Sequence, residues 1–322
     1  MAERSADVPQ TVDYWVDEFL IACTLEGKSH KTVLWYRDML RWFLEWLGPH
    51  YNGILVNEID TSLIRQYLAW LQSRPPKNHK RTPRLSDATV RGHYMALRAF
   101  YGFLVWEGTV SEEQNPMRRI RAPRLSQRIV PALHPDQLES LINCLRQQLS
   151  PIGYRNYLMV LFLLDTGVRA GELVQLSLGD LDLRDHYGLA KVWGKGARER
   201  MVPLGRTLTA KLECWIDEHR PKFPCQGDWL FVTESGGSLT TDRLQKIIYY
   251  WARKAGIEAR CSPHVLRHTF AVSFLRARPD QFALQKILGH STLEMTRRYV
   301  NLILDDIVEA HRIASPVDGL GL

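Results

Sequence analysis

Residues 262–300 read SPHVLRHTFAVSFLRARPDQFALQKILGHSTLEMTRRYV. Pro279 and Gly289 divide this stretch into short helical pieces, since proline lacks the N–H that continues a helix and glycine favours the turn that ends one. His264 and Arg267 stand three apart, so a helix sets them on one face about one turn from each other. His290 opens the next piece and Tyr299 lies nine residues on. Two imidazoles, a guanidinium and a phenol suit a phosphodiester. Its cleavage needs fixed cations for the non-bridging oxygens, proton carriers for the bridging oxygens and a nucleophile that keeps the phosphoryl group as an ester.

The same residues resemble the signature of the tyrosine recombinase (phage integrase) family, which runs H-x-x-R, then L-G-H, then a tyrosine about nine residues later. Here these are His264-Val265-Leu266-Arg267, Leu288-Gly289-His290 and Tyr299. Upstream, Thr166-Gly167-Val168-Arg169-Ala170-Gly171-Glu172-Leu173 matches the family's T-G-x-R-x-x-E-L, and Gly194-Lys195-Gly196 before Arg200-Met201-Val202-Pro203-Leu204 resembles its lysine hairpin. Taken singly, each residue has an ordinary explanation: a core tyrosine, capping histidines, solvated Arg169 and Lys195, a helix-face Glu172. All six positions filled in one order are what carry the resemblance.

The resemblance implies roles. Arg169 and Arg267 would clamp the non-bridging oxygens and neutralise the charge of the trigonal-bipyramidal transition state. A tyrosine with a pKa near 10 costs about 4 kcal/mol to hold as phenolate at pH 7, a cost that cations and a base must offset. Tyr299 would attack phosphorus to leave a 3′-phosphotyrosyl ester, with His264 accepting the phenolic proton and Glu172 orienting or polarising it. Lys195 would protonate the departing 5′ oxygen and His290 would hydrogen-bond a phosphate oxygen. The ester stores the cleaved bond, so no metal, ATP or other cofactor is expected.

Working outward, 322 residues suffice for two domains, and 45% hydrophobic with 24% charged residues is the balance of a globular protein. A formal charge of +7 leans only modestly toward a polyanionic partner. The opening MAERSADVPQ carries no apolar run of an export signal, and Tyr157 to Leu164, the longest such run, is too short for a bilayer. Five cysteines, Cys23, Cys144, Cys214, Cys225 and Cys261, form no C-x-x-C pair, which argues against a disulfide framework and a zinc site. A cytoplasmic location with reduced thiols and no membrane partner is expected.

From Thr11 to Gly108 the apolar spacing is helical. Segments at Thr11–Glu26, after Ser29, after Asp60 and after Ser86 predict a four-helix bundle. Between Ser62 and Trp106 eight Lys or Arg residues face the single acid Asp87. Such a run is commonly just a solvated face; beside phosphodiester chemistry, Lys77, Lys80, Arg81, Arg91 and Arg98 become candidates for contact with a duplex backbone. Asn115 to Pro131, NPMRRIRAPRLSQRIVP, holds three prolines, five arginines and no acid. It reads as an extended basic linker in which Arg118, Arg119 and Arg121 lie along something negative.

Beyond it, His134-Pro135-Asp136 opens one helix, and the apolar helix Gly153–Thr166 is the expected centre of a second core. Gly167 sets Arg169 at the start of a helix Ala170–Leu176, where backbone N–H groups also favour phosphate. Strands are expected at Tyr187–Trp193, Glu199–Pro203 and Trp229–Val232, and helices at Leu204–His219 and Asp242–Ala255. In the last helix Tyr249 and Tyr250 sit at core spacing, while Arg243 and Lys246 are candidates for a DNA groove. Gly194-Lys195-Gly196 lacks the frame of a nucleotide-binding loop, so ATP is not implied.

The expected fold is therefore mainly α with a small β-sheet (α+β). It comprises a disordered tail (1–10), an N-terminal helical core-binding domain resembling a SAM domain (11–114), the basic linker (115–131), a catalytic domain (132–301) and a C-terminal helix and tail (302–322). The resemblance implies a C-shaped clamp on double-stranded DNA, a homotetramer on two specific sites, the terminal helix docking on its own or a neighbouring protomer, and an accessory DNA-bending or directionality protein. Alternatives are a type IB topoisomerase, which uses a similar arginine, lysine and tyrosine set, and a non-catalytic DNA-binding protein.

Overall fold

The computed structural model describes residues 11–48, 53–75, 84–124, 132–184, 187–194, 199–224, 226–259, 261–290, 292 and 296. Its contacts divide the chain into two units, residues 1–128 and 129–322.

In the first unit four helices, α1 (Val12–Leu25), α2 (His30–Leu47), α3 (Thr61–Ser73) and α4 (Asp87–Trp106), pack around one core. Three start on side-chain caps. Ser29, Asp60 and Ser86 accept from the N–H groups of Thr32, Leu63 and Thr89 at 3.2, 2.8 and 3.1 Å, each cap worth about 1 kcal/mol. Leu40, Phe43, Ile64, Tyr67, Leu71, Leu97, Phe100 and Leu104 fill the interior. The ends of α3 and α4 that flank the basic loop are joined: Leu85 N–H donates to the Arg74 carbonyl at 2.9 Å, and the Arg74 guanidinium lies over the Trp42 and Trp70 rings.

The expected linker begins differently. Pro116–Arg119 is a turn of 3-10 helix with Pro116 and Met117 buried. The carbonyls of Pro116, Arg119, Ile120 and Pro123 accept from Thr61, Arg65, Tyr94 and Arg91. The apolar residues between the arginines hold the segment to the bundle, and the arginines face outward.

The second unit is centred on α6 (Pro151–Thr166), whose Leu158, Met159, Val160, Phe162 and Leu163 are fully buried. It packs against α5 (Pro135–Arg146), α8 (Arg206–Cys214) and α10 (Pro263–Ala277). The remaining helices are α7 (Ala170–Gln175), α9 (Thr241–Lys254) and α11 (Gln281–Leu288). A three-stranded antiparallel sheet runs β1 (Leu181–Asp182), β2 (Leu189–Trp193), β3 (Glu199–Pro203), with Trp193 opposite Glu199 at the mouth of the hairpin. Among the described residues no helix is long and apolar enough to cross a membrane.

Two expectations are corrected. Trp229–Val232 makes only an isolated bridge at each end, because the carbonyls of Trp229, Leu230 and Val232 are taken by the side chains of Arg220, Trp215 and Arg155. The third strand is Leu181–Asp182. Tyr249 and Tyr250 are 52% and 58% exposed, and α9 turns Leu244, Ile248, Trp251 and Ala252 inward instead.

Candidate active site

Two left-handed glycines shape the site. Gly167 caps α6 at φ +63°, and a Cβ there would lie 2.3 Å from Phe270 and 2.8 Å from Leu288. Only glycine fits, and the turn delivers Arg169 to the first position before α7. Gly289 caps α11 at φ +64° and places His290 directly after it.

Around these turns Arg169, Arg267 and His290 converge. Arg267, buried on α10, donates to the carbonyl of Gly167 at 2.6 Å, to that of Leu288 at 2.9 Å and to His290 Nε2 at 2.9 Å. A guanidinium only donates, so Nε2 is the acceptor and the imidazole proton sits on Nδ1, which donates to Thr296 Oγ1 at 3.0 Å. Arg169 donates from Nη1 to Glu172 Oε1 at 2.8 Å and reaches the Gly289 carbonyl at 3.5 Å. Its side chain is 42% exposed, so this cation is open to an anion. His264 is exposed in the first turn of α10; burial of part of its ring, then the charge of Arg267, lowers its pKa from 6.5 and favours the neutral base.

Glu172, expected to orient His264, serves the arginines. It accepts from the Arg169 N–H at 2.7 Å and the Arg169 guanidinium, and from both Nη atoms of Arg200 at 2.9 and 2.8 Å. Burial pushes its pKa up, but the hydrogen bonds from Arg200 and Arg169 outweigh that and bring it to about 2. The sequence alone places Arg200 in the strand after the lysine turn and gives it no role in the site. The signal was its register: it shares a face of β3 with fully buried Val202, where a charge needs a buried partner. Arg169 and Arg200 are two guanidinium groups on the one carboxylate of Glu172, which leaves one positive charge at that pair of arginines.

Lys195 and Tyr299 lie outside the described residues, as do Lys77, Lys80, Arg81 and the helix expected after residue 301. Of the other candidates, Arg98, Arg118, Arg119 and Arg121 are exposed and Arg91 is held to Pro123. Arg243 lies 4.0 Å from Glu234 and Lys246 pairs with Asp242 at 2.7 Å, both exposed on α9. Among the described residues one group, Cys214, Glu218 and His219 at the end of α8, has metal-capable donors within 4.8 Å of one another. None of these belongs to the arginine cluster.

Family models match twice: the phage integrase family over residues 131–303, and the phage integrase N-terminal SAM-like domain over residues 16–108. Tyrosine recombinase XerC of Pelotomaculum thermopropionicum is 30% identical, covering 94% of this chain and 97% of its own. Tyrosine recombinase XerD of Listeria monocytogenes serotype 4b is 31% identical, covering 89% and 93%. Among solved structures, the XerH site-specific recombinase bound to palindromic difH substrate, a post-cleavage complex, aligns with TM-score 0.73 at 23% identity, over 92% of this chain and 84% of that one. A lambda integrase dimer bound to a COC′ core site aligns with TM-score 0.70 at 18% identity, over 90% and 95%. At those identities the two structures speak to the fold, whereas the family model over more than half of the chain and the curated relatives along its length speak to descent. The chain belongs to the phage integrase family, the tyrosine recombinases.

Proposed function

We propose that this site-specific recombinase breaks and rejoins duplex DNA through Tyr299. The phenolic oxygen attacks the scissile phosphorus, a P–Oη bond forms and the P–O5′ bond breaks. His264 takes the phenolic proton, Lys195 supplies one to the 5′ oxygen, and Arg169 and Arg267 meet the charge on the non-bridging oxygens. The 5′ hydroxyl of a second DNA end reverses the step, and two such exchanges pass through a Holliday junction. For His290 to bond a phosphate oxygen as donor, it needs a second proton or release from Arg267, because its Nε2 is the acceptor of that pair.

The observation that carries the reading is the convergence of Arg169, Arg267 and His290 on the Gly167 and Gly289 turns. The positive charge that Arg169 and Arg200 keep beyond that of Glu172 suits a phosphodiester whose transition state gains negative charge. We assign residues 11–114 to a core-binding domain, 115–131 to the connection and 132–301 to catalysis. We further propose a homotetramer on two recombination sites, with residues 302–322 in docking between protomers, acting in the cytoplasm on a mobile element or on replicon multimers. That the XerH and lambda integrase structures hold their site DNA supports DNA as the partner.

The test is covalent trapping on a nicked suicide DNA. A protein–DNA adduct resistant to denaturant, absent in Tyr299→Phe and unaffected by EDTA, is expected. An adduct of undiminished yield in Tyr299→Phe sinks the assignment.

A further inference from the structure

The last turn of α11 ends in a run of carbonyls, and each meets a different arginine. The N–H groups of Gly289 and His290 return to the carbonyls of Lys286 and Gln285, which closes the left-handed cap. The next three oxygens, those of Ile287, Leu288 and Gly289, accept from Arg200 Nε at 2.9 Å, Arg267 Nη2 at 2.9 Å and Arg169 Nη2 at 3.5 Å. The carbonyl end of a helix carries partial negative charge, so three guanidinium groups gather there with less mutual repulsion than in a neutral setting.

We propose that Arg200 is a positioning residue of this site, one that keeps Arg169 available to the scissile phosphate by taking up the charge of Glu172. The inference rests on the strand-cleavage reading above. Arg200 grips the carboxylate with two parallel bonds and its side chain is 15% exposed, whereas Arg169 reaches it with one guanidinium nitrogen and is 42% exposed. One carboxylate against two guanidinium groups leaves one positive charge, and the more exposed group is the one able to spend it on an anion. Without Arg200 the buried carboxylate is matched by Arg169 alone. That pair is neutral, and its attraction draws Arg169 away from a phosphate. A second tie runs through Gly289: a Cβ there would stand 2.9–3.0 Å from Nε, Cδ and Cζ of Arg200, so the turn that presents His290 is moulded on this side chain.

The experiment is single-turnover cleavage of nicked suicide DNA by the full chain. Arg200→Met is expected to slow adduct formation ~100-fold while DNA affinity stays within about threefold, because the proposal gives Arg200 no contact with DNA. Arg200→Lys keeps the charge but not the paired bonds, and about a tenfold loss is expected. The discriminating substrate carries a methylphosphonate at the scissile position, which lacks the charge that Arg169 meets. On it the Arg200→Met defect should shrink below about tenfold. Equal losses on the two DNAs are what a merely structural role produces, and that result, or wild-type cleavage by Arg200→Met, overturns the proposal. If Arg200→Met does not fold, Arg200→Lys on the same two DNAs decides by the same comparison. No adduct from the unaltered chain removes the cleavage reading and this inference with it; a normal adduct there with unimpaired Arg200 variants removes only the role of Arg200.

Discussion

Arg267 and His290 are locked in one direction of hydrogen bonding: Nη2 donates to Nε2 across 2.9 Å, and the imidazole donates its own Nδ1–H to Thr296 Oγ1. The donor-only guanidinium of Arg267 thus sets the tautomer, and the buried Thr296 hydroxyl, accepting from Nδ1, holds the ring in place. Without it the imidazole is released to rotate or exchange its proton, and Arg267 loses a fixed neighbour. Thr296→Val is expected to slow cleavage about tenfold, some 1.4 kcal/mol, with DNA affinity unchanged. Cleavage kinetics together with 15N shifts of the His290 ring check this; an unchanged rate and an unchanged Nδ1 shift would count against it.

The two left-handed glycines predict a contrast. At Gly167 an added Cβ meets the Phe270 ring and Leu288 in a packed interior. Gly167→Ala should therefore cost about 2–4 kcal/mol in urea unfolding, the left-handed penalty plus overpacking. At Gly289 the added Cβ meets the Arg200 side chain. Gly289→Ala should cost only about 1–2 kcal/mol, near the conformational penalty itself, yet slow cleavage more than its stability loss explains. Equal stability losses, with cleavage following stability alone, would show that Arg200 yields without consequence.

Much of the helical architecture was legible because capping and periodicity are local. Ser29, Asp60 and Ser86 each cap the helix they were expected to open. Local signals failed where tertiary partners decide. Leu181–Asp182 is too short to show a period of two, and Trp229–Val232 has the apolar content of a strand while its carbonyls go to side chains distant in sequence. In α9 a shift of about one residue separates Ile248 and Trp251, inside, from Tyr249 and Tyr250, outside. Arg169, Arg267 and His290 could be proposed together from the family resemblance, but not from spacing, since Gly167 and Gly289 bring them together across about 120 residues. Arg200 was hidden because its partner Glu172 lies 28 positions away on another element.

Glu172 gives a stability prediction with a definite sign. Its carboxyl pKa is about 2 in the folded chain against an ordinary 4.5, so burial is more than offset by Arg200 and Arg169. A depressed carboxylate contributes stability that is complete above pH 4.5 and disappears as pH falls through about 2. The contribution is on the order of 3 kcal/mol, from the size of the shift. Glu172→Gln should lose it, so the stabilities of the two proteins should converge between pH 4.5 and 2. Chemical denaturation at a series of pH values measures the difference, and curves that stay parallel across that range would refute the assignment.

As the proposed acceptor of the phenolic proton, His264 should set the acid side of the cleavage profile. Burial and then the charge of Arg267 lower its pKa from 6.5, so the free protein holds the neutral base at pH 7 and loses it only on further acidification. A scissile phosphate brings negative charge to the same neighbourhood, which raises the pKa again once DNA is bound. Two profiles should therefore differ. With DNA subsaturating, the rate reports the free protein, and its acid limb should have a midpoint below 6.5. With DNA saturating, the midpoint should move to higher pH. His264→Asn should lower the rate and flatten the acid limb in both. If that limb persists unchanged in His264→Asn, another group accepts the phenolic proton, and the assignment of His264 as the base is lost.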